Sequence, residues 1–139
     1  KSTKTQADQT AIISFSYEVV IAAKKEFPDR AVYYLKTLEQ DASTGKWPQV
    51  DPLIDLATRA GIDGLNLGFK ESNKKGYVTK PSPSYLELLK EIRNKTRRHK
   101  MDFLTYTIND PGIARTLQKA GLDGITTDRP GYLRKALSR

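Results

Sequence analysis

Five short apolar runs alternate along the chain with stretches of helical period. The runs at residues 11–15, 31–35, 64–67, 102–108 and 124–127 are rich in Val, Ile, Tyr, Phe and Thr. Most lack clean alternation, which is the pattern of strands buried on both faces. Between them, Val19, Val20, Ala22, Ala23 and Phe27 form an apolar stripe that Pro28 ends. Asp51-Pro52 predicts an N-cap with proline at the first helical position. Leu53, Ile54, Ala57 and Ala60 carry that stripe on to Gly61, a left-handed cap. Pro83-Ser84 opens a helix bearing Tyr85, Leu86, Leu89 and Ile92. Asp110-Pro111 opens another through Ile113, Ala114, Leu117 and Ala120, ended by Gly121. A last helix is expected from about Pro130 to Leu137.

Strict β–α alternation points to an α/β fold with a parallel sheet, its five strands neighbours in chain order with helices outside. An internal repeat sharpens this. Arg59-Ala60-Gly61-Ile62-Asp63-Gly64-Leu65 matches Lys119-Ala120-Gly121-Leu122-Asp123-Gly124-Ile125, two β–α units later. Both copies end a helix with glycine, turn tightly and launch a buried strand, as suits a barrel of similar modules. Helix-to-strand connections are short, whereas residues 36–50 and 68–82 read as long loops after strands. Function in such folds sits where those loops emerge, at the strand C-termini. Two architectures remain open on pattern alone: a complete five-stranded open sheet, or five units of an eight-unit barrel. The second would leave residues 11–15 and 124–127 with unpaired outer edges, which favour self-association.

The chain has 139 residues, one domain's worth, with 37% hydrophobic and 29% charged residues. No apolar run is long enough to span a membrane, and residues 1–10 are too polar for a signal peptide. The chain does not begin with Met, so it is expected to lie within a longer protein. Cysteine is absent, which excludes disulfides and thiolate chemistry and leaves the compartment, cytoplasmic or exported, undecided. The net charge is +8, and residues 70–100 hold ten Lys/Arg against three Glu. Such a stretch attracts nucleic acid, anionic lipid or a phosphorylated substrate, or is simply a solvated helix face. The single His99 sits in Arg97-Arg98-His99-Lys100 with no second His to support a metal or catalytic role.

Candidate chemistry lies at the strand ends: Ser14, Ser16, Asn66, Tyr106, Thr107, Asn109, Asp128 and Arg129 would share one rim if the sheet closes. Asp110 and Asp128 also fit as ordinary N-caps, and Asn109 as a turn residue. The segment Leu104-Thr105-Tyr106-Thr107-Ile108-Asn109-Asp110-Pro111, followed by Gly121-Leu122-Asp123-Gly124-Ile125-Thr126-Thr127-Asp128-Arg129-Pro130, resembles the closing signature of the glycerophosphodiester phosphodiesterases. Ile13-Ser14-Phe15-Ser16 looks like that family's Ser-Phe strand.

The resemblance implies a (β/α)8 TIM-barrel fold of which residues 1–139 form about the last five units. It implies metal-dependent hydrolysis of glycerophosphodiesters to glycerol 3-phosphate and an alcohol. The family's opening His-Arg-Gly, Glu-x-Asp and Glu-x-Lys motifs are not found here, although Lys1 is a candidate for the last lysine. The catalytic histidines and the carboxylates holding Mg²⁺ or Ca²⁺ are therefore expected upstream, with no metal ligand in this chain. Tyr106, Ser14, Phe15, Asn66, Thr107 and Asn109 are the expected substrate contacts, Tyr106 offering an aromatic wall to glycerol. The expected partner is a small-molecule phosphodiester rather than nucleic acid, with no membrane span. Alternatives are a phosphate-binding β/α barrel of another family and a basic nucleic-acid-binding module, though no recognised nucleic-acid motif is present.

Overall fold

The computed structural model describes residues 10–72, 76, 78 and 81–138. Five strands alternate with five helices: β1 (Ala11–Ser14), α1 (Tyr17–Glu26), β2 (Ala31–Glu39), α2 (Asp51–Ala60), β3 (Gly64–Lys70), α3 (Pro83–Arg98), β4 (Asp102–Thr105), α4 (Pro111–Lys119), β5 (Gly124–Ile125) and α5 (Pro130–Leu137). The strands form one sheet in the order β1-β2-β3-β4-β5, and every neighbouring pair is parallel. The sheet curls into part of a TIM barrel.

Element ends depart from the sequence pattern in instructive ways. β2 and β3 extend through polar residues read as loop, because Lys36–Glu39 stay in register with Leu67–Lys70. β4 stops at Thr105, beyond which only single bonds follow: Tyr106 N–H to the Leu67 carbonyl and Ile108 N–H to that of Thr126. Asp51 is not the N-cap of α2. That position is Val50, which makes no side-chain cap, and Asp51 pairs with Lys95 of α3 at 2.8 Å instead. Gly61 and Gly121 turn with φ of 65° and 93°, where a β-carbon would be strained.

The repeated aspartates explain the repeat. Asp63 Oδ2 accepts the Val32 N–H of β2 at 2.8 Å and pairs with Lys24 of α1 at 2.8 Å. Sixty residues on, Asp123 Oδ2 accepts the Phe103 N–H of β4 at 2.8 Å and pairs with Arg93 of α3 at 3.2 Å. Each carboxylate thus sits in a helix-to-strand turn and grips the start of a neighbouring strand and the helix before it.

One sheet face packs under the helices. Leu65, Leu67 and Phe69 of β3 join Phe103, Leu89, Ile92 and Leu117 in a single core cluster. Tyr85 of α3 is buried there, its ring 5.2 Å from that of Phe69. Alternation turns Gly64, Asn66 and Gly68 to the concave face. Over this row, side chains from non-adjacent strands meet. The Tyr33 hydroxyl of β2 donates to Asp102 Oδ2 of β4 at 2.8 Å, passing Gly64, which is in register with both. Thr37 Oγ1 and the Tyr106 hydroxyl lie 2.7 Å apart across Gly68. Asn66 reaches the other way, donating from Nδ2 to Thr126 Oγ1 at 2.8 Å.

A β-carbon at Gly64 would run into the backbone of Asp102. Gly64→Ala should therefore cost at least about 2 kcal/mol, measured by urea unfolding. Gly131→Ala in α5, where a β-carbon meets nothing within 4 Å, should be neutral or slightly stabilising. Burial pushes the Tyr85 phenol up to about 12 and that of Tyr33, which is also bound to Asp102, higher still. Unfolding lets both ionise near the ordinary tyrosine value, so stability should fall as pH rises from about 10 towards 12. Alkaline titration of tyrosine absorbance should show two phenols that ionise late or only on unfolding.

Candidate functional site at the strand C-termini

Tyr106 follows β4 directly and is only 6% exposed. Its ring meets Phe15, at the end of β1, edge to face with centroids 5.9 Å apart. With its hydroxyl on Thr37, the side chain crosses the concave face from β4 towards β1. Phe15 is 60% exposed, so the open aromatic surface on the inner rim is that of Phe15, with the buried Tyr106 packed behind it. Asn66 is buried on the same face at 1% exposure; Nδ2 is bonded to Thr126, and Oδ1 has no partner among the described residues.

A second cluster lies between the first turns of α4 and α5. Asn109 Oδ1 accepts from Thr127 Oγ1 at 2.8 Å and from the Asp128 N–H at 2.9 Å, while Nδ2 donates to Asp128 Oδ2 at 3.2 Å. Asp110 caps α4, accepting the Ile113 N–H at 2.9 Å. Asp128 does not cap α5: the N-cap is Arg129, which makes no side-chain cap, and its guanidinium stacks 4.1 Å from the Tyr132 ring. Thr107, Asn109, Pro111, Arg129 and Tyr132 line a cavity of about 320 Å³ here.

The expected site residues are thus divided. Phe15, Tyr106 and Asn66 share the concave face, while Thr107 and Asn109 line the second cavity. The Ser14 hydroxyl accepts the Ser16 N–H at 3.0 Å, and Ser16 in turn caps α1 through the Val19 N–H, so both serve the turn after β1. His99 caps the far end of α3, away from both clusters. Lys1 lies outside the described residues. Thr37 and Thr126 complete the inner network; Thr126 lies within the segment that resembles the closing signature but is not singled out from it, and Thr37 falls in a stretch that reads as loop. Among the described residues no group of three or more His, Cys, Asp or Glu could hold a metal ion. The donor set does not fit Mg²⁺ or Ca²⁺, which need several clustered oxygen ligands.

No family model matches the chain, and no curated protein matches it. Solved structures do. A glycerophosphodiester phosphodiesterase from Parabacteroides distasonis superposes with a TM-score of 0.61 at 20% identity, over 95% of this chain and 44% of its own. A phosphodiesterase from Oleispira antarctica, in complex with the product sn-glycerol-3-phosphate, gives 0.62 at 18% identity, over 93% and 42%. The fold is that of part of a TIM barrel, the barrel that these phosphodiesterases have. The chain spans less than half the length of these phosphodiesterases. The arc itself is shared more widely: 3-dehydroquinate dehydratase from Geobacillus kaustophilus superposes at 0.55 with 14% identity, over 92% of this chain and 52% of its own.

Asn109→Ala would release the exposed Thr127 hydroxyl and Asp128 N–H to water. It should lower stability by about 1 kcal/mol or less. Hydrogen exchange of the Asp128 amide should accelerate roughly tenfold or more, the signature of a loosened β5–α5 loop.

Proposed function

We propose that this chain is the substrate-side wall of a barrel that hydrolyses glycerophosphodiesters to glycerol 3-phosphate and an alcohol. Tyr106 carries the reading. Its ring is fixed at the inner end of β4 by Thr37 and Phe15, at the strand end whose sequence resembles the phosphodiesterase signature. The Oleispira phosphodiesterase, of similar fold, holds glycerol 3-phosphate. Here the exposed Phe15 ring, held in place by Tyr106, offers an apolar ledge to the glycerol carbons and leaves the hydroxyls free for hydrogen bonds. Asn66 is buried on the same concave face, Asn109 orders the loop before α5 through Thr127 and Asp128, and Thr107 lines the cavity beside that loop. Ser14 supports the wall indirectly, by shaping the turn that presents Phe15. In this reading the proton-transferring histidines and the metal carboxylates are supplied by chain outside these 139 residues, and no metal-assisted step is assigned to the residues described.

The isolated chain should hydrolyse glycerophosphocholine no faster than metal-containing buffer; metal-dependent turnover from pure material would refute this division of labour. In the longer protein, Tyr106→Ala should lower kcat/KM at least roughly tenfold, equivalent to about 1.4 kcal/mol. Tyr106→Phe, which keeps the ring, should cost much less. Unchanged kinetics in a folded Tyr106→Ala variant would remove the assignment. A second reading, a phosphate-binding barrel of another class, has in its favour that the arc also fits 3-dehydroquinate dehydratase. Turnover of sugar phosphates with none of glycerophosphocholine would select it.

A further inference from the structure

We propose that the face opposite the strand C-termini docks on an anionic lipid bilayer. In a parallel sheet of this kind each helix runs back along the strand before it, so all five helix C-termini lie where the strands begin. Every helix carries cations in its last turn. Lys24 and Lys95 are committed to Asp63 and to Asp51 with Glu91. Lys25, Arg59, Arg97, Arg98, Lys119 and Lys135 are exposed. Of the acids at this end among the described residues, Asp63 and Asp123 are held in ion pairs, leaving Glu26, Asp29 and the Asp102 carboxylate, which also accepts from Tyr33, to oppose the exposed cations.

The helix dipole favours a cation at each C-terminus. It does not account for Arg97 and Arg98 continuing into exposed His99 and Lys100, nor for Phe27. That ring ends the apolar stripe of α1, yet it is 47% exposed, with the Arg30 guanidinium 5.7 Å from its centre. An exposed aromatic among cations is suited to the boundary between lipid headgroups and acyl chains. The ends of one helix layer make a broad, shallow array that a planar bilayer meets at once. Nucleic acid instead favours an element that enters a groove or a platform on which bases stack. Docked this way, the Tyr106–Phe15 rim faces away from the bilayer, towards water. The proposal does not depend on the hydrolytic reading.

The test is flotation of the longer protein that contains these residues with phosphatidylcholine vesicles, alone and with roughly 30 mol% phosphatidylserine. Binding should be at least roughly tenfold stronger to the anionic vesicles and should weaken with salt. Arg97→Glu with Arg98→Glu should lose roughly tenfold or more, and Phe27→Ser roughly threefold, with far-UV circular dichroism unchanged. Lys36→Glu with Lys46→Glu, an equal charge change towards the strand C-termini, should stay within about twofold. No binding to anionic vesicles at low salt would overturn the proposal, as would an equal loss from the Lys36/Lys46 pair, which would mean that net charge alone acts. Equal affinity for a DNA duplex, with Phe27→Ser indistinguishable from the parent, would assign the face to nucleic acid instead.

Discussion

The concave face of β3 is the constraint on which the arc depends. It presents Gly64, Asn66 and Gly68 in a row, and the two glycines leave room for side chains of β2 and β4 to meet above the strand between them. Tyr33 with Asp102 closes one end of that row, and Thr37 with Tyr106 closes the other. Bonds between second-neighbour strands on one face draw that face inward. A larger residue at Gly64 would run into the backbone of Asp102 in β4, and the sheet would lose part of what curls it. Asn66, placed between them, bonds to the far side of β4 and extends the same device to β5.

The starts of the strands are held by different means. Asp63 and Asp123 each bind the first turn-facing amide of a strand and a cation from the helix before it. Their hydrogen bonds to Val32 and Phe103 satisfy amides at the start of β2 and β4, and the ion pairs pin α1 and α3 to the strand ends. A partly buried carboxylate with both kinds of partner is worth keeping, because removing it would leave an amide and a cation unmatched together. The inner bonds therefore set curvature while the aspartates set where helices end and strands begin.

These two devices also position the chemistry. Curvature brings Phe15 of the first strand to Tyr106 after the fourth, residues that a flat sheet would hold apart. The same turn after β4 directs Thr107 and Asn109 away from that ledge and into the cavity between α4 and α5. Two polar neighbourhoods thus arise from one short segment, and only one of them shares the concave surface with Asn66. Charge follows the same axis, with exposed cations gathered where helices end.

Much of the architecture was legible in the sequence. Proline and glycine punctuate the helices, β-branched and aromatic runs mark the strands, and parallel neighbours in chain order follow from strict alternation. Asp110 announced its cap, and the repeat announced a repeated turn, although not that its aspartates reach across to another strand. Local pattern read Lys36–Glu39 as loop, because one apolar residue, Leu38, among three polar ones does not reveal that the backbone pairs with β3. It read Asp51 as a cap, because nothing in the sequence reveals a competing partner as distant as Lys95. It grouped Ser14 with Phe15 and Thr107 with Tyr106, although adjacent residues at a strand end turn to different surroundings. The bonds of Tyr33 to Asp102 and of Thr37 to Tyr106 each join residues 69 positions apart. Composition and periodicity specify which way a segment folds locally, whereas such a pair exists only once register and curvature have brought the strands together, and those were decided by the tertiary structure.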